Sequence, residues 1–222
     1  MSTQELQDGL WHWRAPHPDW RPSEPWDPNV SSYAVDDGKH LILVDPLAVP
    51  DALLALAAER EAAVVLTCPW HERDARRLVE ALGAPVYTPL PDTAEDLMRK
   101  FGVTAERAGD GSPDLIWLLR EGQGEARPFV PGDRLPFGVD VYPGQWPNDT
   151  VLWIEGHRAV ISGDTLVDFG RGLEVNLRWR RDAEAREEIV SGLRPLLALP
   201  VEHLLTTHGG PMDRAALERV LS

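Results

Sequence analysis

The chain has one cysteine, Cys68, among 222 residues. An internal disulfide is thereby excluded, and the lone thiol fits a reducing, cytoplasmic compartment. Positive charge is also short: 22 Lys and Arg stand against 36 Asp and Glu, for a net charge of −14. So acidic a chain argues against nucleic acid and against an anionic membrane as partners. No apolar run approaches the roughly 18 residues needed to span a bilayer. The first residues, Met1-Ser2-Thr3-Gln4-Glu5, lack the basic-then-apolar order of a secretion signal. Internal repeats and low-complexity linkers are missing as well. Phe and Tyr are scarce, at 4 and 3, whereas Trp is abundant at 9. What remains is a chain long enough to bury a proper core, read as a single domain over residues 1–222, monomer or homodimer.

Apolar runs place strands at Leu10–Trp13, Val30–Val35 and His40–Val44. The last two flank Asp36-Asp37-Gly38-Lys39, a turn carrying Gly. Residues 15–28, rich in Pro and Trp, read as an ordered loop. Asp51 is placed as the cap of an Ala/Leu-rich helix reaching about Arg60. The β-branched run Ala63–Thr67 stops at a Pro and gives way to helical spacing over 72–82, closed by Gly83-Ala84-Pro85. A short strand at 86–88 and a capped helix at 93–101 follow. Strands at 126–130, 138–142, 151–154 and 159–161 read as a meander. A long amphipathic helix over 182–199, a strand at 203–206 and a terminal helix at 213–221 complete the chain. Strands, helices, strands, helices in that order favour two sheets between helix layers.

Three strand ends carry His, Asp or Glu: Thr67-Cys68-Pro69-Trp70-His71-Glu72-Arg73-Asp74, Ser162-Gly163-Asp164-Thr165 and Thr206-Thr207-His208-Gly209. A strand end fixes loop side chains in position, so the three suggest one shared site. With Pro143-Gly144-Gln145 between them, these motifs and the order of elements resemble the metallo-β-lactamase superfamily over nearly the whole chain. The resemblance implies an α/β (α+β) fold, a four-layer αββα sandwich of metallo-β-lactamase type. It also implies an ancestral metal-dependent hydrolysis of a small ester, thioester, lactone or amide. Family members carry His-x-His-x-Asp-His after a strand like Ala63–Thr67. Here Cys68 and Trp70 stand at the first two His positions, Glu72 at the Asp and Arg73 at the third His. Gln145 replaces the His of a Pro-Gly-His turn, while Asp164 and His208 match. Sliding the loop by one brings His71 and Asp74 into ligand positions and puts Pro69 in the first. Neither register restores a two-metal centre, since Trp cannot ligate a metal and Gln is a poor zinc ligand.

Three readings of this altered site remain open. In the first, Glu72 or Asp74 with Asp164 and His208 holds one divalent ion (zinc, manganese or iron), and His71, Asp164 and His208 serve catalysis. In the second no metal binds: Arg73 pairs with Asp164 and Glu72, leaving a pseudoenzyme or ligand-binding module. In the third, Cys68 is a nucleophile with His71 or His208 as its base. Trp20, Trp70, Trp146 and Trp179 fall in loops that such a fold gathers at one mouth. With Cys68, Arg73 and Gln145 they suggest an apolar pocket for a small-molecule ligand. Arg171, Asn176 and Arg178 are candidates for an anion-binding rim, and His17 and Asp19 for a loop reaching over the site.

Overall fold

The computed structural model describes residues 3–111, 125–178, 180 and 184–222. Its first sheet has seven strands in the order β1 to β7: Thr3–Gln7, Leu10–Pro16, Asn29–Asp36, His40–Val44, Glu61–Val65, Val86–Thr88 and Ala126–Pro128. Strands β1 to β4 pair antiparallel, and β4 to β7 pair parallel. The second sheet runs β15-β14-β11-β10-β9-β8, from Pro211–Asp213 through His203–Leu205, Ala159–Ile161, Thr150–Ile154 and Val139–Pro143 to Arg134–Leu135. A small hairpin, β12 (Leu166–Asp168) and β13 (Leu173–Val175), stands apart from both.

Strands apolar at every position are the signature of a sheet covered on both faces. In β4, Ile42 and Val44 face the inter-sheet core while Leu41 and Leu43 face the outer layer. In β10, Leu152 and Ile154 point inward, and Val151 and Trp153 outward. The inner set meets Tyr33, Val65, Val139 and Leu205 from both sheets. Helices α1 (Asp51–Glu59) and α2 (Ala75–Leu82) cover the first sheet. Helices α5 (Ala185–Leu193) and α6 (Arg214–Val220) cover the second. The result is the four-layer sandwich that the sequence implied, with α3 (Ala94–Phe101) and the short α4 (Ala105–Ala108) after the β6 edge. Among the described residues no helix is long and apolar enough to cross a membrane.

Several local expectations are corrected. The 126–130 strand does not join the meander; Ala126–Pro128 pairs parallel with β6 at the edge of the first sheet. The helix expected from Glu72 starts at Ala75, because Pro69–His71 forms a 3-10 turn and Arg73 takes φ +42°, which no helix accommodates. Asp51 is the first helical residue, and Pro50 holds the cap position. The helix expected over 182–199 has residues 182 and 183 outside the described set, and its remainder is α5 followed by a 3-10 stretch, Arg194–Ala198. Pro195 has no N–H for an α-helical bond and enforces the change. Strands β1, β8, β12, β13 and β15 escaped the sequence pattern, most being only two or three residues long.

The two sheets are bound at one end by hydrogen bonds as well as by the core. Tyr33 Oη donates to the Thr206 carbonyl at 2.7 Å, and Thr150 donates to the Thr67 carbonyl through both its N–H (2.9 Å) and its hydroxyl (2.8 Å). Gly163 sits at φ +53°, and a Cβ there would lie 2.9 Å from Thr67 Cβ, so this corner tolerates no side chain. Leu152, fully buried between the sheets, reports on that core. Leu152→Ala should cost about 3 kcal/mol of unfolding free energy, measured by urea titration; a loss under about 1 kcal/mol would mean the inter-sheet packing is not as described.

Candidate metal centre

The strand ends β4, β5, β11 and β14 and the β9–β10 loop converge at that hydrogen-bonded corner. Cys68, three residues past β5, is still extended (φ −150°, ψ 159°), as a residue preceding proline should be. Pro69 opens the 3-10 turn, whose bond from His71 N–H to the Cys68 carbonyl (3.1 Å) folds His71 back under the strand end. Cys68, His71 and Asp164 are all buried, and their ligand atoms lie within 4.8 Å of one another. His208 joins them: its Nε2 stands 3.3 Å from Asp164 Oδ1, the same oxygen that His71 Nε2 approaches at 3.3 Å.

The group that orders this cluster is Asp45, the residue after β4, which no sequence motif singles out. One oxygen accepts the Thr67 N–H at 2.8 Å. The other accepts the Thr67 hydroxyl at 2.6 Å, His71 Nδ1 at 3.0 Å and the Thr207 hydroxyl at 3.3 Å. Burial alone would raise the Asp45 pKa, but His71 and then Arg73 hold it below the ordinary carboxylate range. Asp45 itself takes φ +46°, a conformation retained because its side chain and backbone are tied on every side.

With Nδ1–H committed to Asp45, neutral His71 turns the lone pair of Nε2 toward the Asp164 carboxylate. Two acceptors face each other unless a proton or another cation lies between them. Burial opposes charge on His71, but the carboxylates of Asp45 and Asp164 outweigh it and hold its pKa well above the usual imidazole value. Asp164 answers in the opposite sense: burial would raise it, and the charge of His71 together with the His208 ring beside it drives it well below 3.8. Asp164 Oδ1, His208 Nδ1, Gln145 Oε1 and Asp149 Oδ1 are buried without a partner in hydrogen-bonding geometry. A thiol, imidazoles and a carboxylate converging around unsatisfied atoms form a donor set that fits one zinc or iron(II) ion better than magnesium or calcium. Burial pushes the Cys68 thiol up to about 12, so without a cation it is protonated near neutrality and a weak nucleophile.

The other candidates divide. Glu72 and Asp74 lie outside the cluster of three; with His17, Asp19, Leu47, Trp70 and Arg73 they line a separate cavity of about 230 Å³. Asp74 Oδ2 accepts the Ala48 N–H at 2.6 Å. Arg73 donates Nη1 to the carbonyl oxygens of Asp45 (2.8 Å) and Ser31 (3.2 Å) rather than forking Asp164 and Glu72. Gln145 is buried beside the site, its amide N 3.4 Å from the Asp164 carbonyl. Trp70 and Trp146 join Phe101 and Asp164 around an apolar slot of about 230 Å³. Trp20 stays in the first loop, its indole N–H on the Trp26 carbonyl at 2.9 Å, and Trp179 lies outside the described residues. Trp26 lies tilted against His208, with ring centroids 4.8 Å apart and planes at 52°, and Phe169 flanks the same imidazole at 5.8 Å. Of the suggested anion rim, Asn176 is turned in to the Asp164 carbonyl (2.8 Å), whereas Arg178 lies over Phe169 and Arg171 near Glu174. A more voluminous cleft of about 710 Å³ lies against β15 and α6, away from these groups.

No protein-family model matches the sequence, and no curated protein matches it. Solved structures do. TTHA1623, solved in a di-iron-bound form, is 30% identical at TM-score 0.54, covering 86% of this chain and 93% of its own. The metallo-β-lactamase family protein TTHA1429 from Thermus thermophilus is 18% identical at TM-score 0.60, covering 97% of this chain and 79% of its own. A metallo-β-lactamase from Erythrobacter litoralis is 16% identical at TM-score 0.61, covering 99% and 93%.

Asp149 gives the corner a pH signature. Burial first, and the Asp164 carboxylate next, raise its pKa from 3.8 to about 7. Between those values the folded chain keeps a proton that the unfolded chain has released, so this group subtracts stability progressively as pH rises across that window. Asp149→Asn retains an acceptor for Thr165 and removes the charge. In urea unfolding it should be stabilised relative to the parent at pH 8 and little changed at pH 4; equal effects at both would show that Asp149 is not buried beside Asp164.

Proposed function

We propose that the chain, which shares the metallo-β-lactamase fold and is 30% identical to a protein solved in a di-iron-bound form, is a hydrolase-like protein holding one divalent ion on Cys68, His71 and Asp164, with His208 beside them. The observation that carries this reading is the convergence of three buried ligand atoms of different chemistry within 4.8 Å. Bound there, a zinc or iron(II) ion supplies a Lewis acid and a water of lowered pKa, the chemistry that hydrolysis of a small ester, lactone or amide requires. The protein's own part is positioning. Asp45 fixes the His71 tautomer through Nδ1 and leaves Nε2 toward the cluster. His208 approaches the same Asp164 oxygen from the other side, so the carboxylate is held between two imidazoles. Trp26 and Phe169 cover His208. The Trp70–Phe101–Trp146 slot opens onto Asp164 and would seat the apolar part of a small-molecule substrate. Arg73 acts here as a clamp on the backbone of β3 and β4 rather than as a substitute for the metal.

Metal analysis of protein prepared without chelator tests the reading. About one equivalent of zinc or iron is expected, with affinity falling at least ten-fold in Cys68→Ser and His71→Gln. Glu72→Gln should bind as the parent does. Full occupancy in both cluster variants, or loss in Glu72→Gln, would move the metal elsewhere; no uptake of zinc, iron or manganese by the parent would end the hydrolase reading.

A further inference from the structure

Building on the site just proposed, we propose that the slot recognises an uncharged planar aromatic group of one or two rings, and that Lys100 sets this preference. Its three rings come from separate segments: Trp70 from the 3-10 turn after β5, Phe101 from the end of α3, Trp146 from the β9–β10 loop. One buried network joins those segments. Lys100 and Asp92, with side chains 2% and 1% exposed, pair at 2.5 Å. Lys100 also donates to Asn148 Oδ1 at 2.5 Å, and Asn148 Nδ2 donates to Asp92 (3.0 Å) and to the Leu90 carbonyl (3.1 Å). The same ammonium stands 5.1 Å from the Trp70 ring centroid and 5.2 Å from that of Trp146. Lys100 lines the neighbouring cavity with Asp92 and Asn148, and does not line the slot.

By residue type alone, three aromatic rings and a carboxylate would make a cage for an ammonium ion. Here two of the three rings already carry cations. Lys100 lies against both indoles, and the Arg180 guanidinium lies 5.2 Å from the Trp146 centroid. A cation draws on the negative face of a ring and leaves less of it for a second cation. The faces left to the slot therefore suit neutral, electron-rich rings, which stack without adding charge. Size points the same way: about 230 Å³ is below the roughly 300 Å³ at which drug-sized sites begin, and it matches one or two fused rings. Because Asp164 lines the slot, a ring seated there would place its attached carbonyl beside the metal cluster, so the substrate class is an aryl or arylalkyl ester, lactone or amide.

Calorimetric titration of the full chain with 2-naphthol and with phenyltrimethylammonium tests the proposal, on both metal-supplemented and chelator-treated protein. The parent should bind 2-naphthol at least about ten-fold more tightly than the ammonium probe, with or without metal. Lys100→Met, folded by circular dichroism, should lose most of that preference. Phe101→Ala, at a ring 43% exposed and so tolerant of substitution, should weaken 2-naphthol several-fold. Preference for the ammonium probe, binding of neither probe, or a folded Lys100→Met with unchanged preference would overturn the proposal. Should Lys100→Met fail to fold, Phe101→Ala decides, and unchanged 2-naphthol binding there overturns it. Binding to chelator-treated protein reports the slot alone, so this proposal and the metal reading can fail separately.

Discussion

The buried carboxylate of Asp45 is the constraint on which the rest of the site depends. It receives hydrogen bonds from the β5 end through Thr67, from the following turn through His71 and from the β14 end through Thr207. Its backbone carbonyl takes Ser32 Oγ at 2.7 Å and Arg73. One side chain thus joins strand ends from both sheets, and a charge so deeply placed persists because four hydrogen bonds and the nearby His71 and Arg73 compensate its burial. The consequence passes outward: Nδ1 of His71 is fixed, so Nε2 must face Asp164, and Asp164 must face a cation or a proton.

Around that hub stands a fold shared with solved metallo-β-lactamases. In the motif that the sequence resembles, Cys68 stands at the first histidine position and Gln145 at another. The loop after Cys68 compensates by its shape. Pro69 tightens it into a 3-10 turn, and the positive φ of Arg73 ends that turn before α2 begins. His71, which the family pattern leaves between ligand positions, is thereby the imidazole turned inward.

The fold was legible because strands apolar at every position and amphipathic helices leave few alternatives to a sandwich. That Asp164 and His208 come together at one corner was legible too, since each follows a buried strand in a short turn. The path of the loop after Cys68 was not. Pattern alone assigns Glu72 and Asp74 by spacing, whereas the 3-10 turn rotates His71 toward the cluster and leaves the two acids lining a neighbouring cavity. Asp45 carried no local signal because its partners, Thr67, His71 and Thr207, lie 22, 26 and 162 residues away. Lys100 and Phe101 carried no signal at all: their meaning depends on Trp70 and Trp146, which only the folded chain brings alongside.

The measurement that tests the central claim most directly is X-ray absorption at the zinc edge on zinc-loaded protein. The account predicts one sulfur scatterer at about 2.3 Å with nitrogen and oxygen neighbours near 2.0 Å, the sulfur being lost in Cys68→Ser. A shell of nitrogen and oxygen alone in the parent protein would contradict it, because the ion would then be held without the thiolate on which the site is built.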